Sequence, residues 1–91
     1  MTVLSARLTF YIPHAGSLKE KRMIARKLID KTTHKFNAAV AEVDTQDAHQ
    51  TLTIGIAVVS GEFSHADEML DGIVRYIESI ADAELVSIDK D

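Results

Sequence analysis

The sequence predicts an α+β fold in the order β-α-β-β-α-β. Three observations carry that expectation. Two ten-residue stretches alternate apolar and polar residues with a period of two, the mark of a half-buried strand. Two longer stretches repeat apolar residues at helical spacing, each behind a capping signal. Between the two strand–helix units there is only a short polar turn, which joins neighbouring strands as a hairpin.

The first strand is read over Val3 to Ile12. Leu4, Ala6, Leu8, Phe10 and Ile12 point to one side, and Val3, Ser5, Arg7, Thr9 and Tyr11 to the other. Pro13 and Gly16 break it. Ser17-Leu-Lys-Glu20 then forms a capping box, in which the serine accepts an amide hydrogen bond and the glutamate returns one. Leu18, Ala25, Leu28, Ile29, Thr32 and Phe36 recur at helical spacing and set the first helix at about Leu18 to Lys35.

Asn37 to Asp44 reads as a second strand whose alternation slips. Ala38 and Val40 share a face, and Val43 rather than Glu42 continues the apolar set, so a β-bulge is expected near Ala41–Glu42. After the polar turn Gln46-Asp-Ala-His49, the third strand spans Thr51 to Ser60. Leu52, Ile54, Ile56 and Val58 face in, and Thr51, Thr53, Gly55 and Ala57 face out. Gly61 ends it. Ser64 with Asp67 marks the next cap, and Ala66, Met69, Leu70, Ile73, Ile77 and Ile80 form the apolar stripe of the second helix. Glu84 to Asp89, with Val86 and Ile88 on one face, is the last strand.

Right-handed crossovers place both helices on one face of a four-stranded antiparallel sheet. This is the ferredoxin-like, split βαβ two-layer sandwich, built as a single domain over residues 1–91.

Composition narrows the functional classes. The chain has no cysteine, which excludes disulfides, thiolate metal sites and thiol catalysis. Its N-terminus lacks the pattern of a signal peptide and no stretch is long and apolar enough to span a membrane, so a cytoplasmic protein is expected. The net charge of −4 conceals an uneven distribution. Ser17 to Phe36 carries Lys19, Lys21, Arg22, Arg26, Lys27, Lys31 and Lys35 against Glu20 and Asp30, a balance of +5, and the remainder carries −9. Lys27, Lys31 and Lys35 stand at i, i+4 and i+8, and like charges at that spacing are unfavourable unless something opposes them. The acidic second helix, with Asp67, Glu68, Asp71 and Glu78, is one possible counterweight. A docking surface for a phosphate backbone or an acidic protein is the other, with all seven basic residues as candidate contacts.

The sheet face without helices offers a second surface. Arg7, Thr9, Tyr11, Thr51, Thr53 and Ala57 stand on it as candidates for an oligomer interface. It lacks the aromatic residues on the inner strands with which an RNA-recognition motif stacks bases.

No catalytic, metal or cofactor site emerges from the spacing. Gly16-Ser17 lacks the glycine pattern of a phosphate-binding loop, and His14 has no acid to orient it toward Ser17. Glu42, Asp44, Asp47 and His49 cluster at the hairpin turn, where polar residues are usually just solvated. His14, His34, His49 and His65 have no metal-ligand spacing. The loop after the first strand has no arginine, unlike that of the acylphosphatases.

Ser17-Leu-Lys-Glu-Lys-Arg22, Phe36-Asn37, Ala41-Glu-Val-Asp44, Gln46-Asp47 and Gly55-Ile-Ala-Val-Val-Ser60 together resemble the YlxP-like family of small bacterial proteins, a domain of unknown function. The resemblance covers nearly the whole chain and implies a ferredoxin-like fold. It also implies a role near the ribosome or RNA, because family members are often encoded beside translation and ribosome-maturation factors. Where members often carry an aromatic residue in the hairpin turn, this chain has Ala48-His49.

Two readings follow. The first is a non-enzymatic protein that contacts RNA or the ribosome through the first helix. The second is a homo-oligomeric regulatory module that buries the open sheet face and holds a small molecule or a protein partner. In the second reading, the His14–Ser17 loop and the Asp44–Gln50 turn would line the ligand site.

Overall fold

The computed structural model describes residues 1–91. Its elements run β1 (Thr2–Tyr11), α1 (Leu18–Lys35), β2 (Ala39–Glu42), β3 (Thr51–Ser60), α2 (Phe63–Ile80) and β4 (Glu84–Lys90). The sheet order is β2-β3-β1-β4 with every neighbour antiparallel, the ferredoxin-like arrangement expected from the sequence.

The alternating strands supply one side of the core. Ala6, Leu8, Phe10 and Ile12 lie beneath the helices with Leu52, Ile54, Ile56 and Val58. Ala25 and Leu28 of α1, and Ala66, Leu70, Ile73, Val74 and Ile77 of α2, cover them. With Ala15 they make a core of sixteen residues, in which each valine, leucine, isoleucine or phenylalanine gains about 1.5–3 kcal/mol on full burial, so this cluster dominates the favourable side of folding.

Both helix starts differ in detail from the capping expectation. At α1, Glu20 N–H donates to Ser17 Oγ at 3.1 Å, as a capping serine requires. The Glu20 carboxylate, however, accepts from Gly16 N–H at 2.9 Å, one residue earlier than in a regular capping box. Helix α2 begins at Phe63, so Ser64 and Asp67 lie inside it and do not cap it. Glu62 is the N-cap, without a side-chain capping bond; Ser60 closes the turn before it, accepting from Glu62 N–H at 3.2 Å and bonding the His65 ring at 2.9 Å.

The bulge expected in β2 is absent. Ala39, Val40, Ala41 and Glu42 pair in unbroken register with Ala57, Ile56, Gly55 and Ile54. Glu42 therefore stands on the inner face in line with Val40, and Val43 stands on the outer face. A Cβ on Gly55 would lie 3.2 Å from Val43 Cγ1, so the glycine leaves room for that valine. The register shift occurs in β4, where Thr9 pairs with Ser87 and Phe10 with Leu85, leaving Val86 as the extra residue. The bulge takes Val86 out of line with Ile88, which pairs with Leu8, and both side chains are exposed.

A carboxylate on the inner face needs a partner, and that partner is Lys21. Its side chain is completely buried. The ammonium donates to the carbonyls of Thr45 (2.6 Å), Gln46 (3.2 Å) and Thr51 (3.2 Å). Glu42 Oε2 lies 2.9 Å from Nζ, yet makes no hydrogen bond of acceptable geometry. The contact is ionic, because the three ammonium hydrogens already go to the three carbonyls. Lys21 thus ties α1 to both ends of the β2–β3 turn. It is the one member of the proposed basic surface that the structure removes from it: buried and fully coordinated, it has nothing left to offer a phosphate.

Truncating one partner of a buried pair costs about 3–5 kcal/mol, because the other charge stays buried and unmatched. Lys21→Met is therefore expected to lower unfolding free energy by that order in urea titration. Lys27→Met, on the exposed face of the same helix, is expected to change it by less than about 0.5 kcal/mol. Equal losses in the two variants would contradict this assignment of Lys21.

Candidate nucleic-acid interface

A helix with its apolar stripe on a sheet leaves the rest of its circumference to solvent. On α1 that exposed arc carries Lys19, Arg22, Arg26, Lys27, Lys31 and Lys35, the other six predicted contacts. Helical spacing sorts them into two rows. Lys19, Arg22 and Arg26 follow the flank toward β2, with the exposed Met23 among them. Lys27, Lys31 and Lys35 follow the flank toward α2.

The acidic second helix does not neutralise them. None of the six has a carboxylate oxygen within the 4.0 Å of an ion pair. The Asp71 side chain of α2 instead accepts from Lys90 of β4 at 2.8 Å. That hydrogen bond holds the Asp71 carboxyl below its usual range and the Lys90 ammonium above its own. Lys35 is the only member of the rows with a resolved partner of another kind. Its ammonium lies 4.7 Å from the Tyr76 ring centroid and 5.9 Å from that of Phe36, within cation–π range. The two rings meet edge to face at 5.4 Å.

The open sheet face differs from its simple outline. Thr53 is buried there, because the turn after β2 folds back over it: Thr45 Oγ1 donates to Thr53 Oγ1 at 3.0 Å, with Thr9 Oγ1 at 3.4 Å. It is thereby withdrawn from any interface. Arg7 and Tyr11 are exposed, and Thr9, Thr51 and Ala57 half-buried, so these five remain on the surface. Arg7 lies between two carboxylates, Asp44 at 3.2 Å and Asp91 at 3.5 Å. The hydrogen bond to Asp44, reinforced by Asp91, raises the Arg7 pKa above its ordinary value. Asp44 reaches it from a left-handed backbone conformation with φ 61°, which short polar residues tolerate best. Between Arg7 and β2 lies a shallow trough of about 530 Å³, floored by Ala39, Ala41, Gly55 and Ala57.

The polar cluster at the hairpin turn does not assemble. Glu42 turns inward to Lys21 and Asp44 outward to Arg7, on opposite faces of the sheet. The Asp44–Gln50 turn is bonded to the end of β1, just ahead of the His14–Ser17 loop: Ile12 N–H donates to Gln50 O at 2.8 Å, and Gln50 Nε2 to Pro13 O at 3.2 Å. The Lys21 ammonium occupies the inner side of that turn. No helix is long and apolar enough to cross a membrane.

The inward Glu42 was the missing signal for Lys21. An acid that breaks the apolar alternation of a strand, with a lysine on the buried side of a neighbouring helix, points to an internal ion pair.

The comparisons agree with this architecture. A profile of the family described as "Protein of unknown function (DUF503)" matches residues 3–90. The uncharacterized protein YlxP of Bacillus subtilis (strain 168) is 34% identical over 70 residues, covering 77% of this chain and 76% of that protein. Among solved structures, a de novo designed protein with a ferredoxin fold superposes with a TM-score of 0.60 at 18% identity, over 100% of this chain and 84% of the design.

Acidification tests the surface tie between β4 and α2. The Asp71 carboxyl is depressed, so the Lys90–Asp71 bond is present at neutral pH and lost as pH falls through the lowered folded value. Asp71→Asn is expected to speed amide exchange in β4 at neutral pH and to remove its acid dependence there. Unchanged exchange in β4 would contradict the tie.

Proposed function

The chain belongs to the DUF503 family of proteins of unknown function, and we propose that it is a non-enzymatic, cytoplasmic RNA-binding protein that docks on phosphates through α1. One observation carries this reading. Six basic side chains share the exposed arc of one helix with Asp30 as the one acid among them, and none of the six is ion-paired, although the chain as a whole is acidic. Like charges one helical turn apart repel, and a single aspartate, Asp30, offsets only part of that repulsion on this arc. A polyanion relieves it, and release of the polyanion's counterions drives the association. The rest of the surface, at a formal −9 outside the segment from Ser17 to Phe36, disfavours other orientations and so directs the contact to α1. The resemblance to proteins encoded beside translation factors makes ribosomal RNA the first partner to try.

The groups nearest to catalytic chemistry have structural duties. The Ser17 hydroxyl caps α1, and the Glu42 carboxylate faces Lys21. This favours binding over catalysis as the function.

A second, compatible reading is self-association through the open sheet face. It is supported by exposed Val3, Val59 and Tyr11 beside the trough floored by alanine and glycine. It uses the opposite face from α1, so a dimer would present two basic helices.

Binding to ribosomal RNA across a salt series tests the first reading. Each phosphate contact contributes about −0.7 to the slope of log affinity against log salt for single strands. Reversing Lys27, Lys31 and Lys35 to glutamate is expected to flatten that slope by about 2 and to weaken binding at low salt. Unchanged affinity in the reversed protein would contradict it. Sedimentation at rising concentration tests the second reading: a dimer is expected, converted to monomer by Ala57→Glu, and a strict monomer would contradict it.

A further inference from the structure

Hollows border both basic rows, and the one beside Lys27 and Lys31 is the more enclosed, because it lies between two helices and a loop. A narrow cleft of about 170 Å³ lies between α1, the loop after β1 and the end of α2. Ile24 and Leu28 of α1 and Ile80 of α2 supply its apolar walls. Lys27, Lys31 and His14 supply its cationic and donor groups, and Asp82 stands at its rim. Whole small-molecule sites occupy about 300–1,000 Å³, and a single water about 10–15 Å³ by the same measure. This cleft therefore has the size for one polar group of a larger molecule rather than for a whole ligand.

Charge identifies the group. Lys27 and Lys31 bring two positive charges to one side of the cleft, neither opposed by a carboxylate within 4.0 Å. An internal phosphodiester carries one negative charge and must enter and leave along the strand. A phosphomonoester is terminal and carries about −1.5 to −2 at pH 7, which matches the two ammonium groups. His14 is half exposed at the mouth, with Nε2 3.9 Å from Asp82 Oδ2. Its ring nitrogen offers a third contact to a group with three acceptor oxygens. Asp82 is the opposing charge, and its side chain is fully exposed and free to turn outward.

We propose that the cleft bounded by His14, Lys27 and Lys31 is a phosphomonoester site, which receives the terminal phosphate of a nucleic-acid strand lying along α1. The assignment rests on the reading of α1 as a nucleic-acid surface and adds to it a preference for a strand end. The Lys19–Arg22–Arg26 row then tracks the following phosphates without regard to the end.

Two oligoribonucleotides of one sequence, with a 5′-phosphate or a 5′-hydroxyl, test this against three proteins. The wild type is expected to bind the phosphorylated strand roughly tenfold more tightly, the scale of one charge-assisted hydrogen bond. In Lys27→Gln/Lys31→Gln that ratio falls to one. In Arg22→Gln/Arg26→Gln both strands bind more weakly and the ratio persists. Asp82→Asn is expected to raise the ratio. Tight binding of both strands with a wild-type ratio of one overturns the end-specific site and leaves α1 as a general nucleic-acid surface. If neither strand binds, the nucleic-acid reading fails, and titration with inorganic phosphate decides the cleft by itself. Amide shifts at His14, Leu28 and Ile80 that vanish in the double lysine variant then support a phosphate site for a free ligand. Their absence overturns the proposal altogether.

Discussion

The ammonium of Lys21 is the point on which the arrangement of this protein turns. It lies in a site with no water contact, among three backbone carbonyls and one carboxylate. Removing an ammonium from water costs several kcal/mol, and only dense coordination of this kind offsets it. A buried charge of this sort tolerates few alternative arrangements. The coordination therefore fixes how α1 sits against the β2–β3 turn, a segment with few apolar contacts of its own.

The consequences extend to both faces of the molecule. With Lys21 and the stripe of Ala25, Leu28 and Thr32 directed inward, the rotation of α1 is set, and its other basic residues are carried outward. On the far side, the turn that Lys21 holds delivers Thr45 over Thr53 and Asp44 onto Arg7. The basic helix and the clamped arginine on the open sheet face thus share one anchor.

Much of the architecture was legible in the sequence because burial imposes a period. β1 and β3 pair in unbroken register and alternate in burial except at Thr53, and α1 begins and ends where its capping serine and apolar spacing place it. The parts that were not legible are those where a polar group replaces an apolar one on the inside. Glu42 looked like a slip of register because it stands where a hydrophobic residue is expected, and its partner is distant in sequence. Lys21 looked like one more exposed base for the same reason. The α2 cap was misplaced because the helix starts at Phe63 behind Glu62 with no side-chain cap at all, so Ser64 marks no boundary. The bulge in β4 has no local signal, since an edge strand with one packed residue imposes little periodicity. Of the candidate surface, six of the seven basic residues and five of the six sheet-face residues stand where spacing put them. The two exceptions, Lys21 and Thr53, are buried by contacts across the chain that spacing alone does not encode.

The central claim is that the exposed arc of α1 is the surface that meets nucleic acid. Mapping amide shifts of the folded protein during titration with single-stranded RNA tests it most directly. The account predicts changes concentrated between Lys19 and Lys35 and around His14 and Asp82, with the outer residues of β1 and β3 undisturbed. Changes confined to Arg7, Tyr11 and Ala57 on the open sheet face, with α1 silent, would contradict it.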